Sequence, residues 1–159
     1  MENYFLKLDG IAGESIDSKH KDEIELLSFS WGVTQATAGP GVGAGAAAGR
    51  AKFKDFQVVM HVSKASPQLF LACVSGKHLK EANLSVRRAG GKEQIEYLKI
   101  KLTDVFITSL EEDGAGDRPQ ETVSFNFRQF NLSYAPQQPN GALGAEVSAS
   151  WDLSANIKV

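Results

Sequence analysis

A single cysteine, Cys73, stands in 159 residues, so no intramolecular disulfide can form and the fold must rest on packing. No apolar run is long enough to cross a membrane as a helix, and the amino terminus, MENYFLKLDG, places charges where a secretory signal carries its apolar core. A cytoplasmic chain with no cleaved signal peptide and no membrane insertion is expected. Excess positive charge is also missing: 17 Lys and Arg face 19 Asp and Glu, for a formal net charge of -2. Apart from Arg87-Arg88 the basic residues are scattered, which excludes the basic stripe that a nucleic-acid partner requires.

Catalytic and metal-binding patterns are equally scarce. His20, His61 and His78 lie far apart with no cysteine pair near them, so they are expected at the surface or in loops, with no metal or cofactor. Cys73 is expected as a buried small hydrophobe. Serines are plentiful, but no Gly-x-Ser-x-Gly elbow occurs. Asp152, flanked by serines, fits the solvent face of a strand. Asp113 and Asp117 lack the ligand spacing of a calcium loop. With no acid–base or nucleophile cluster, the chain is not expected to be an enzyme.

What is present is alternation. In EVSASWDLSANI, residues Val147, Ala149, Trp151, Leu153, Ala155 and Ile157 form one side of a long half-buried strand. LLSFSWG repeats the pattern, with Leu27, Phe29 and Trp31 opposite Ser28, Ser30 and Gly32. The phase slips twice. Val123, Phe125 and Phe127 give way to Phe130, Leu132 and Tyr134, predicting a bulge or sharp bend near Arg128-Gln129; Leu98, Ile100 and Leu102 give way to Val105 and Ile107 around Asp104. Further strands are predicted over Tyr4–Asp9, Lys52–His61, Asn83–Ala89 and Glu93–Leu110, with Gly90-Gly91 as a hairpin turn and Glu111–Asp117 as a solvated loop. SPQLFLACVSG reads as a helix, with Ser66 as its N-cap, Pro67 in the first turn and Gly76 past the end. Leu69 and Cys73 would share one face, and Phe70 and Val74 the neighbouring stripe. The fold class is therefore mainly β: an antiparallel β-barrel of about eight or nine strands with one short α-helix around Pro67–Ser75, as a single domain over 1–159.

Between two strands lies TAGPGVGAGAAAGRA, Thr37–Ala51, an extended Gly/Ala-rich loop with little apolar surface to offset the entropy of ordering it. Gly43-x-Gly45-x-x-Ala48 matches a relaxed dinucleotide fingerprint, but the segment leads into a strand rather than a helix, so no phosphate site is expected. Several strands also carry small polar residues opposite their apolar side: Ser28 and Ser30, Ser124 and Asn126, Ser148 and Ser150. Such a face suits contact with protein or the lining of an aqueous channel.

Taken in order, FLKLDGIAGES, LLSFSWGVTQ, SPQLFLACVSGKHL, VRRAGGKEQIEYLKIKL and VSFNFRQFNLSYAPQ resemble the haemolysin-coregulated protein (Hcp) family of bacterial type VI secretion systems, from Tyr4 to the Trp151 strand. The resemblance implies a homohexamer: a ring with a wide lumen, stacked with other rings into the inner tube that a contractile sheath expels behind a spike protein. It implies small effector proteins carried in the lumen, with Ser30, and Ser28 beside it, at the contact. It gives the Gly/Ala tract, including Gly39, Pro40, Gly41, Val42, Gly43, Gly45 and Gly49, the role of reaching the neighbouring ring. Secretion then proceeds directly from the cytoplasm. With Val159 just after the last predicted strand, no fused effector domain is expected. The competing readings are a tail-tube protein of a phage-like particle and a monomeric small-ligand-binding β-barrel.

Overall fold

The computed structural model describes residues 2–35, 50–88 and 94–159. The expectations placed on Gly39–Gly49 and on the Gly90-Gly91 turn lie outside the described residues. In chain order the elements are β1 (Glu2–Leu8), β2 (Ile24–Leu26), β3 (Ser28–Ser30), β4 (Val33–Gln35), β5 (Ala51–Phe53), β6 (Phe56–His61), α1 (Ser66–Ser75), β7 (His78–Arg88), β8 (Ile95–Asp113), β9 (Gln120–Tyr134), β10 (Val147–Asp152) and β11 (Ile157–Lys158).

All the pairings are antiparallel, in the order β11-β10-β9-β8-β7-β1-β2, while β6 pairs with both β3 and β9. Leu27 joins β2 to β3, its amide donating to the Val59 carbonyl at 2.7 Å. The pairings run from β9 through β8, β7 and β1 to β2, and from β9 through β6 to β3, with the chain itself joining β2 to β3 at Leu27; these strands surround a core that includes Leu6, Val58, Met60, Leu84, Ile100 and Phe125. β4 and β5 form a separate two-stranded ribbon.

The two phase slips prove to be one feature. Across β8 and β9, Thr103 pairs with Gln129 and Val105 with Phe127, so Asp104 and Arg128 face each other and the register is kept. On β7, Leu79 pairs with Val105 and Glu81 with Thr103, which brings Lys80 onto the same row. On that row three neighbouring strands exchange their inward and outward faces together. β7 turns from Leu79 to Ala82, β8 from Leu102 to Val105, and β9 from Phe127 to Phe130. Asp104 takes the left-handed conformation there, at φ 55. The feature near Arg128-Gln129 is thus a shared bend with no inserted residue. The register shifts occur elsewhere, between Ile107 and Ser109 and between Val86 and Arg87. A line of bends lets a flat sheet wrap around its core.

Several local expectations are corrected. Leu27 is 43% exposed while Leu26 is buried, because the strand changes partner there from β1 to β6. Lys52–His61 is broken into β5 and β6. Glu111–Asp113 belongs to β8, paired with Gln120–Thr122, and only the residues after it form the loop. EVSASWDLSANI is a hairpin rather than one strand: the Asp152 carboxylate accepts from the Ser154 hydroxyl at 2.7 Å and the Ala155 amide at 2.9 Å, reversing the chain so that Ile157 pairs with Asp152. Asp152 is accordingly buried, not on the solvent face. The helix begins one residue earlier than expected, with Ala65 as its N-cap. The Ser66 hydroxyl donates instead to Glu121 Oε1 at 2.6 Å and accepts from the Ser63 amide. Gly76 ends the helix in the left-handed conformation, as expected. Leu69 is buried, but Cys73 is only half-buried and Phe70 and Val74 face outward, because the core-facing stripe runs through Ser66, Leu69 and Ala72.

Candidate functional site

Ser28 and Ser30 flank Phe29 on β3, and the period of two sets their direction. Phe29 is half-buried against Tyr4 and Phe56, with ring centroids at 5.6 and 6.0 Å, so both serines are exposed. Cross-strand register extends this face. Ser30 lies opposite Gln57, Gln57 opposite Ser124, and Ser124 opposite Ser109; one row along, Ser28 lies opposite Val59, which faces Thr122. The structure therefore brings Ser28 and Ser30, both exposed, and Ser124, which is buried, onto one short-chained face. Asn126 instead borders a surface cleft with His78 and Arg128. Ser148 and Ser150 sit across the line of bends, where Asn131 donates to the Ser150 hydroxyl at 2.8 Å. The face offers mainly hydroxyls and amides, with Val59 among them and Glu111 opposite Thr122 at its margin. It can exchange hydrogen bonds with water or protein but holds no acid, base or nucleophile pair.

The histidines are more varied than expected. His20 is buried rather than at the surface, because the loop before β2 folds back over β1. Its ring stacks on Phe5 at 4.3 Å, and Nδ1 meets Glu23 at 2.9 Å. His61 is half-buried, and His78 is exposed beside Asp104 at 2.9 Å. Among the described residues no group of His, Cys, Asp and Glu is placed to hold a metal ion.

Sequence reasoning missed the clamps that fix this surface. Arg87 lies over the Phe5 ring and donates to both oxygens of Asp17, at 3.0 and 2.7 Å. That bidentate bond holds the Asp17 carboxyl well below the usual carboxylate range. Glu121 is 1% exposed, and burial pushes its carboxyl up; Glu112, opposite it on β8, acts in the same sense, and the Ser66 hydroxyl bond against it. Tyr97 is pushed up to about 12 by burial and by donating to Glu2 Oε2 at 2.6 Å. The only sequence signal for any of these was the doublet Arg87-Arg88. The partners Asp17 and Arg87 lie 70 residues apart.

Comparison with known proteins agrees with this architecture. A family model described as "Type VI secretion system effector, Hcp" matches residues 5–134. A protein named hcp1 from Pseudomonas aeruginosa is 38% identical over 157 residues, covering 97% of this chain and 96% of that protein. The crystal structure of Hcp1 from Salmonella typhimurium is 34% identical with a TM-score of 0.83, covering 99% of both chains. A solved structure of "a type six secretion system protein" is 31% identical with a TM-score of 0.92 over 100% of both chains.

Proposed function

The chain belongs to the Hcp family of type VI secretion, and from that premise we propose that it is a tube subunit that closes into hexameric rings. The rings stack into an inner tube that a contractile sheath drives out behind a spike protein. The lumen shields small effector proteins, with Ser30 and Ser28 at the contact. The Gly39–Gly49 tract reaches the neighbouring ring. The protein leaves the cytoplasm through the apparatus itself, without a cleaved signal peptide, and works without catalysis.

The observation that carries this reading is family membership over residues 5–134, combined with the close burial of the core side chains among the described residues. Val58, Met60, Val105, Val123 and Phe125 are all 0% exposed, so the barrel offers surfaces rather than a chamber. That filled interior weighs against a monomeric small-ligand binder. Ring closure needs two different surfaces on each copy, since rotation about a closed axis makes heterologous contacts. Light scattering on the purified protein, with negative-stain imaging of the same peak, tests the proposal. A hexameric mass with ring-shaped particles supports it; a monomer at every concentration overturns it. Shortening Gly39–Gly49 is expected to abolish tubes and leave rings intact.

A further inference from the structure

We propose that Arg50 is a positioning residue: it ties the outer end of the β4–β5 ribbon to the carboxy-terminal hairpin and thereby sets how the ribbon is presented for ring stacking. This rests on the ring-and-tube reading above. Among the described residues the ribbon has three residue pairs, Val33–Phe53, Thr34–Lys52 and Gln35–Ala51. A two-stranded ribbon that short is not stable by itself and needs outside support.

Its inner end has that support. Phe53 packs on Phe127 and Phe130 with centroids at 5.9 and 5.5 Å, and Trp31 packs on Phe130 at 5.4 Å and on Phe56 at 5.6 Å. Among the described residues the outer end has no aromatic seat: Thr34 and Gln35 are exposed and Ala51 is half-buried. What holds that end is Arg50, one residue beyond the outermost pair. Its Nη2 donates to the Leu153 carbonyl at 2.6 Å and to the Ser154 carbonyl at 3.1 Å.

The acceptors are themselves fixed. Asp152 builds the turn that carries them, Leu153 donates its amide to the Arg128 carbonyl at 2.7 Å, and Asn156 completes the reversal at φ 56. Between ribbon and hairpin lies a cleft of about 260 Å³ that Arg50, Phe53, Trp151 and Asn156 help to line. Without the Arg50 bonds, the ribbon can pivot on its aromatic seat over that cleft. Because the contact is exposed, it contributes little to global stability. Its effect falls on direction, and a stacked ring repeats that direction in every subunit.

The test compares wild type with Arg50→Ala and Arg50→Lys. Both variants are expected to keep the wild-type native mass and melting temperature. Arg50→Ala should need at least roughly fivefold more protein to form tubes, as expected for loss of a charge-assisted hydrogen bond; Arg50→Lys, which keeps one cationic donor, should fall between. Tubes from Arg50→Ala at the wild-type concentration overturn the proposal. Hydrogen exchange supplies a readout independent of tubes, so that failure of the tube reading leaves the clamp testable. Arg50→Ala should speed exchange at Ala51–Phe53 and at Ile157-Lys158 together. Faster exchange at Ala51–Phe53 alone, or at neither, overturns the coupling.

Discussion

Arg87 is 3% exposed yet charged wherever the protein is folded, so its side chain must find a counter-charge and an acceptor in the same place. Asp17 supplies both, and it sits on the loop that covers Phe5. Replacing Asp17 by Ala strands the guanidinium and is expected to cost about 2 kcal/mol, allowing for the part of Asp17 that reaches solvent; urea unfolding measures it. Since the folded Asp17 carboxyl lies below its ordinary value, its contribution is fully present above about pH 4 and declines as acid titrates the folded state. Glu121 has the opposite sign. Its folded carboxyl is raised, so the stability it contributes is complete below about pH 4 and is lost as pH rises through the folded value. Glu121→Gln keeps a neutral group beside the Ser66 hydroxyl. The variant should therefore melt above wild type at pH 8 and converge with it at pH 4. A constant difference at both pH values would show that Glu121 is not the titrating group.

Bending at the row of Lys80, Asp104 and Arg128 lets β7, β8 and β9 turn as a unit, and Asp104 carries the unfavourable dihedral, at φ 55. A β-branched residue there is strained, whereas glycine is not. Asp104→Val is expected to be about 1–2 kcal/mol less stable than Asp104→Gly. Both variants lose the His78 contact, so the comparison isolates the backbone. Equal stabilities by thermal unfolding would contradict the left-handed assignment. Each slip was legible in the sequence because apolar parity reverses at Leu102/Val105 and at Phe127/Phe130. Their alignment was not, since only cross-strand register shows that Asp104 and Arg128 meet. The Trp151 hairpin was misread as a strand because the Asx turn at Asp152 preserves the alternation on both of its sides. The Ser66 cap was misassigned because its hydroxyl is taken by Glu121, 55 residues away. The exposure of Ser28 and Ser30 followed from parity alone, while the Arg50 and Asp17 clamps depend on long-range partners that no local pattern records.

Assembly turns single-residue chemistry into a repeated property of the whole particle. The core side chains Val58, Met60, Val105, Val123 and Phe125 are fully buried, so on the tube reading any selection of cargo falls to the surfaces that face the lumen. The row of Ser30 is short-chained: Gln57 extends it at the surface and Ser124 lies buried beyond, while the neighbouring row of Ser28 runs through Val59 and Thr122 to Glu111. Such a surface leaves a carried protein its hydration and holds it weakly, which suits release at the end of a single stroke. A change at Ser30 recurs in every subunit, so a modest perturbation is multiplied around the ring. Ser30→Gln adds bulk without charge and touches no buried contact, so folding and ring mass should match wild type. Co-elution of effectors with the ring should fall sharply, read by mass spectrometry of the ring fraction from the producing cells. Wild-type co-elution from the variant would place the cargo contact on another face. The exposed strands across the line of bends, with Ser148 and Ser150, would then be the next surface to alter.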